Sequence, residues 1–260
     1  MAELAFKRTE RKYLVSTEAV PAVVAAIEQN LPLQEFVPGE PLTTVCSLYL
    51  DTPDHRLLAE ARRSREDHLK VRLREYSYQN GSLHGSRYCF VELKARRGMT
   101  RDKIRFGLPK RDVAAFLAGE ELSAAVAAAD PQGAEESLRH YERIRQLVID
   151  LGLRASLLVA YRRVAYESPE AGLRLSLDRE VSYHLVTPRL EAHLADLWVE
   201  GLDRPVGKTP AAILEVKHRG PLPVWFERLT QKQPGVEGGE FSKYESGMSH
   251  LLGQLSLAAV

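Results

Sequence analysis

Cysteine is nearly absent: Cys46 and Cys89 are the only two in 260 residues, and they form no CxxC pair. A disulfide framework is excluded, and a reducing, cytoplasmic setting is expected. The eight histidines show no HExxH or other zinc-ligand spacing, so zinc hydrolysis is not indicated. There is no GxSxG elbow for an activated serine. Gly207-Lys208-Thr209 resembles the end of a P-loop, but the position of the upstream glycine holds Leu202, and a strand rather than a helix follows. No apolar run approaches the roughly 20 residues that span a bilayer. The opening MAELAFKRTERKYLV has no apolar h-region, so no signal peptide is expected. An excess of charge is missing too: 36 Lys and Arg face 35 Asp and Glu, a net +1. That balance gives no general attraction for nucleic acid. Tyr76, Tyr78 and Tyr88 lie near basic segments, but without an RNP-type motif no nucleic-acid partner is expected.

What is present is enough apolar sequence for a core, 44% of residues, with 27% charged. No internal repeat or long low-complexity tract occurs. The linker-like stretches Leu31 to Pro41, Asp130 to Glu136 and Gln233 to Glu240 are short, so residues 1–260 are expected to form a single domain. Helices are expected at four places besides the C-terminus. Thr52-Pro53-Asp54 supplies an N-cap, an N1 proline and an early acid for a helix to about Arg63. Glu135 to Leu151 places Leu138, Tyr141, Ile144, Leu147, Val148 and Leu151 on one stripe, with Gly152 as its stop. Thr17 to Gln29 and Val224 to Lys232 are the others, and Pro21 is tolerable only near the start of the former.

Other segments alternate with the period of a strand. Their polar face concentrates Arg, Lys and Glu. Lys70, Arg72 and Arg74 share a face opposite Leu69, Val71 and Leu73. Glu92, Lys94 and Arg96 repeat the pattern, as do Arg174 and Asp178 within LRLSLD, Glu215 and Lys217 within ILEVK, and Arg8, Glu10 and Lys12. Lys103 and Arg105 make a shorter case, and Arg162 and Arg163 follow an apolar run. One such strand is ordinarily the solvated side of a sheet. Five of them, accompanied by helices with apolar stripes, point elsewhere. If the helices cover the apolar strand faces, the charged faces converge inside a closed or nearly closed antiparallel barrel with a charged lumen, an α+β fold.

Cations crowded in one lumen repel one another unless an anion fills it. Arg and Lys suit a chain of phosphates. The carboxylates Glu10, Glu92, Asp178 and Glu215 would then hold Mg²⁺ or Mn²⁺ together with phosphate oxygens, or pair with neighbouring cations. Phosphoryl transfer rests on positioning and charge neutralisation, so no nucleophilic side chain is required. Phe241-Ser242-Lys243-Tyr244-Glu245 reads as a capping box opening a helix to about Leu255. Lys243 lies in its first turn, where an anion is also favoured; a well-capped C-terminal helix is the plain alternative.

The ordered set Glu10-Arg11-Lys12-Tyr13, Ser47-Leu48-Tyr49-Leu50-Asp51-Thr52, Lys70 to Arg74, Phe90 to Lys94, Tyr161-Arg162-Arg163, Arg174 to Asp178, Ile213 to Lys217 and Phe241 to Tyr244 resembles the VTC domain. That is the polyphosphate polymerase domain of the vacuolar transporter chaperone complex, within the triphosphate tunnel metalloenzyme (CYTH-like) superfamily. The resemblance spans about residues 6 to 252. It implies a basic antiparallel tunnel braced by helices, ATP as phosphoryl donor, polyphosphate or triphosphate as ligand, and Mn²⁺ or Mg²⁺ as cofactor. Carried over by motif, Lys12, Lys70, Arg72, Arg74, Lys94, Arg162, Arg174 and Lys243 contact phosphate. Arg8, Lys103 and Lys217 are further tunnel cations, Glu215 is the principal metal ligand, and Glu10 and Glu92 are helpers. Arg163 is expected to point outward, as the neighbour of Arg162 in a strand. The hydrolytic branch of the superfamily opens with ExExK, and here Arg8 replaces the first glutamate, which favours polymerase over triphosphatase. A triphosphatase and a non-catalytic polyphosphate-binding module are the alternatives. Eukaryotic members of the family work in a membrane complex that draws the product across, so either a free product or a membrane-protein partner not visible in this sequence is implied.

Overall fold

The computed structural model describes residues 9–64, 66–78, 87–98, 100–187 and 204–258. In chain order the elements are β1 (Thr9–Val15), α1 (Val20–Glu28), β2 (Leu33–Gln34), β3 (Thr43–Asp51), α2 (Arg56–Arg63), β4 (Asp67–Tyr78), β5 (Tyr88–Arg97) and β6 (Thr100–Pro109). There follow α3 (Val113–Leu117), α4 (Ser123–Ala129), α5 (Ala134–Asp150), β7 (Arg154–Ser168), β8 (Leu173–Leu185), β9 (Gly207–Lys208), β10 (Ala212–His218), α6 (Val224–Lys232), β11 (Val236–Gly238) and α7 (Lys243–Ala258). The five expected helices all form. The one after β3 starts later than its Thr-Pro-Asp signal suggests, because those residues make a turn. Thr52 Oγ1 accepts from the Arg56 N–H at 2.8 Å, and Asp51 accepts from Leu57 at 2.8 Å and Leu58 at 3.1 Å. The orphan donors of α2 are thus capped from the preceding strand end.

The strands form one antiparallel sheet in the order β11-β1-β10-β8-β7-β3-β4-β5-β6, with β2 added beside β7 and β9 beside β8. The outermost strands β6 and β11 are not paired with each other, so the sheet curls into a tunnel without closing into a hydrogen-bonded barrel. Its convex face carries two cores. Over β3 to β6, Leu48, Val71, Leu73, Val91, Leu93 and Phe106 pack on Phe116, Val126, Tyr141, Ile144 and Val148 from α3, α4 and α5. Over β1, β10 and β8, Val15, Leu175, Leu177, Leu214 and Val216 pack on Val23 and Ile27 of α1 and Phe226 and Leu229 of α6. With the outer face covered by apolar helix stripes, the charged faces of the same strands are turned to the concave side.

A third core lies on that concave side, and a bulge creates it. Ala160 pairs with Ser182 and Arg162 with Arg179, so β8 spends one more residue than β7 over this step, at Glu180 with φ 55°. The extra residue exchanges the faces of β8. Ser176 and Asp178 point inward before it, Val181 and Tyr183 after it. The latter pair joins Val45, Leu157, Val159, Tyr161 and Ile213 as an apolar floor for Tyr244, Met248 and Leu251 of α7. Gly247 permits the close approach: a Cβ there would lie 2.5 Å from both Leu157 Cδ2 and Tyr183 Cδ1. Gly247→Val is expected to lower stability by roughly 1–3 kcal/mol through overpacking, read from urea unfolding; an unchanged midpoint would show that α7 does not seat on this floor.

Candidate phosphate-binding tunnel

Strand register sets cations side by side on the concave face. Lys70, Lys94 and Lys103 stand opposite one another on β4, β5 and β6, and the next row is Arg72, Glu92 and Arg105. Glu92 is wholly enclosed. Its Oε2 accepts from Arg72 Nε at 2.9 Å and Nη2 at 2.6 Å, and Lys103 Nζ lies 3.0 Å from Oε1. Burial pushes this carboxyl up, but Arg72, then Arg74 and Lys103, outweigh it and hold it well below the usual carboxylate range. Arg74 donates to Ser47 Oγ at 3.1 Å and Tyr161 OH at 2.9 Å, and Arg72 to Tyr49 OH at 3.2 Å. These bonds fix both guanidinium planes against the β3 and β7 wall.

Asp178 holds a second cluster. It accepts both Arg163 Nε at 2.6 Å and Nη2 at 2.8 Å, and Lys243 Nζ at 2.6 Å. Lys243 also sits 4.6 Å above the Tyr161 ring, so the first turn of α7 is tied to β7 and β8. Burial again opposes ionisation of Asp178, and Arg163 and Lys243 overcome it. A third cluster spans β1 and β10. Lys217 lies 2.5 Å from Glu215 and 3.9 Å from Glu10, while Lys12 lies 3.4 Å from Glu10 and donates to the Phe241 carbonyl at 3.0 Å.

Lys94 faces this third cluster from the opposite wall. Its pKa is drawn well below that of an ordinary lysine, first by the charge of Arg72, then by burial and Arg74; Glu215 and Glu10 pull the other way. Among the described residues it makes no ion pair or hydrogen bond. Solvent nonetheless reaches its side chain. Lys94 therefore lines a part of the concave face that is open to solvent.

Most of the sequence-derived site residues converge here: Lys12, Lys70, Arg72, Arg74, Lys94, Lys103, Lys217 and Lys243 all lie on the concave face with Glu10, Glu92 and Glu215. Arg174 shares the face at one end, 3.9 Å from Glu167 and 5.6 Å from the centre of the Phe36 ring. Arg8 lies outside the described residues. The orientation of the arginine pair is the reverse of that expected: Arg163 turns inward to Asp178, and Arg162 turns outward, 3.7 Å from Glu180. Tyr161 occupies the inward position before Arg163, so alternation leaves Arg162 outside. Glu245, Tyr49, Ser47 and Tyr161 were not read from the sequence as site residues, because their strands or helix look like ordinary core sequence.

Glu10 and Glu215 stand diagonally on neighbouring strands, since Glu10 pairs with Lys217 and Lys12 with Glu215. Among the described residues no group of three or more His, Cys, Asp or Glu gathers. Two carboxylates are too few to enclose an ion, so a magnesium or manganese ion at Glu10 and Glu215 would have to take its other ligands from phosphate and water. Glu92 does not fit, because it is wholly enclosed and its Oε2 is held by two donors of Arg72.

The chain matches the VTC domain over residues 7–252. It belongs to that family. Vacuolar transporter chaperone complex subunit 4 of Schizosaccharomyces pombe is 27% identical across 95% of this chain and 37% of its own length. The subunit 4 of Trypanosoma brucei brucei is also 27% identical, across 95% of this chain and 35% of its own. This VTC domain chain thus spans about a third of the length of these relatives. Among solved structures, the PH1819 protein of Pyrococcus horikoshii is 13% identical, with a TM-score of 0.48 over 94% of this chain and 99% of that one. Among the described residues no helix is long and apolar enough to cross a membrane.

Glu92, Asp178 and Glu215 all have folded pKa values below their unfolded ones. The stability they contribute is present above about pH 4 and lost as pH falls through the folded values. Glu92→Gln should cost about 3 kcal/mol at neutral pH by leaving Arg72 unpaired. It should also flatten the decline of stability below pH 4, measured by denaturant unfolding across that range; an equally steep decline would place the acid-sensitive groups elsewhere.

Proposed function

We propose that the tunnel transfers the γ-phosphate of ATP onto the end of a polyphosphate chain. The observation that carries this reading is Lys94, a solvent-exposed cation without an ion-pair partner among the described residues, between the Arg72–Arg74 wall and the Glu10–Glu215 wall. Its depressed pKa expresses a surplus of positive charge that a phosphate chain would neutralise. Membership of the VTC family supports the substrate class. The attacking group is a terminal phosphate oxygen of the acceptor chain. It forms a bond to the γ-phosphorus while the bond from that phosphorus to the β-bridging oxygen breaks, and ADP leaves. With a second phosphate pKa near 6, the attacking oxygen is already ionised at neutral pH, so no general base is needed.

The work of this chain is to hold two polyanions in line and to spread their charge. Arg72 and Arg74 are fixed by Glu92, Ser47 and tyrosine hydroxyls, so their positive charge is held in place along the concave wall. Lys12, Lys94 and Lys243 bring ammonium groups from three other directions. Glu215 and Glu10 would hold Mn²⁺ or Mg²⁺, which would supply further neutralisation of phosphate charge. Both relatives are subunits of a complex, which supports a partner that receives the product, and a cytoplasmic location suits an ATP donor.

Purified protein with ATP and Mn²⁺ should produce a ladder of long chains on a gel stained for polyphosphate. Released orthophosphate without chains would replace the proposal with a triphosphatase. Glu215→Gln should lower the rate at least about 100-fold while tripolyphosphate binding stays measurable by calorimetry; a fully active variant would remove Glu215 from the reaction.

A further inference from the structure

The first turn of α7 brings a carboxylate to the tunnel wall. Lys70 Nζ donates to Glu245 Oε1 at 2.9 Å and to Ser242 Oγ at 3.0 Å. The two ionic side chains are 20% and 12% exposed. Glu92 and Asp178, by contrast, are wholly enclosed in the sheet, and each is held by more than one cation. Glu245 comes from a helix laid across the concave face, and it meets a lysine at the solvated row. The neighbour of Lys70 in that row, Lys94, has no ion-pair partner among the described residues. A phosphate chain reaching the row therefore meets one ammonium without an ion-pair partner among the described residues, Lys94, and two already paired, Lys70 with Glu245 and Lys103 with Glu92.

We propose that Glu245 is an internal competitor for anions, which sets how many linked phosphates a ligand needs before it can take Lys70. The inference rests on the reading of the tunnel as a phosphate-chain site. A small anion that engages Lys70 must separate a half-buried ion pair, which costs more than at an open surface. A longer chain anchored at Arg74, Lys94 and Lys243 presents its next phosphate to Lys70 at high effective concentration, so it displaces the carboxylate readily. Glu245 thus discriminates against orthophosphate and pyrophosphate while leaving long chains able to bind. Ser242 keeps Lys70 oriented during the exchange, because its hydroxyl is bound independently of the carboxylate.

The test is isothermal calorimetry of the full chain and of Glu245→Gln, which keeps the shape of the side chain, with pyrophosphate, tripolyphosphate and a long polyphosphate. The variant should bind pyrophosphate and tripolyphosphate about tenfold more tightly, with a smaller gain for the long polymer. Glu245→Ala should shift the same way, and adding Glu245→Gln to a Lys70→Met background should change nothing further. Pyrophosphate binding that is unchanged or weaker in both Glu245 variants would overturn the inference. Equal tripolyphosphate binding by wild type and variants would overturn it alone and leave the tunnel reading intact. Absence of tripolyphosphate binding in every protein would overturn that reading and the inference with it.

Discussion

Repulsion among cations on the concave side of a curled sheet is the constraint around which this molecule is organised. Arg72, Arg74 and Lys94 lie on adjacent strands facing the same space, and the effect reaches Lys94 as a pKa held well below that of a free lysine. The fold offsets part of the repulsion from within. Glu92 is shared by Arg72 and Lys103, Asp178 is shared by Arg163 and Lys243, and Glu215 pairs with Lys217. Each buried carboxylate stays ionised because its partners outweigh the cost of desolvation. Among the described residues Lys94 is left without an ion-pair partner in its row, and on the proposed reading that remainder is the capacity to take up an anion.

The rest of the architecture keeps this arrangement in place. Helices on the convex side absorb the apolar faces of the strands, which leaves the charged faces no other direction to point. The bulge at Glu180 then divides the concave side. On one side of it β8 offers Ser176 and Asp178 to the lumen, and on the other it offers Val181 and Tyr183 to α7. Because α7 is anchored on apolar residues, its first turn can present Lys243 and Glu245 to the concave face at defined positions. Tyr244 strengthens the anchor, stacking on Tyr49 at 4.8 Å and donating to Asp51, the residue that also caps α2.

The charged alternation of β1, β4, β5, β8 and β10 was legible in the sequence, because a period of two with charge on one face survives any tertiary context. Lys12, Lys70, Arg72, Arg74 and Lys94 could be read that way, as could the helix stripe from Leu138 to Val148. Arg162 and Arg163 could not be told apart by pattern: adjacent residues face opposite sides, and only the inward Tyr161 decides which is which. The turn at Thr52 was hidden because the caps of α2 come from Asp51 and Thr52, several residues before its first turn. Glu245 looked like half of a capping box, and its contact with Lys70 bridges 175 residues of sequence. Closure of the barrel also lay beyond local pattern, since it depends on whether β6 and β11 meet.

The central claim, that the concave face is a passage short of negative charge, is tested most directly by the titration of Lys94. Its side-chain ammonium can be followed by nitrogen-15 NMR, assigned with a Lys94→Arg variant, with and without tripolyphosphate. The account predicts titration well below the surface lysines in the free protein and a marked upward move when tripolyphosphate binds. A Lys94 that titrates with the surface lysines and does not respond to tripolyphosphate would contradict it.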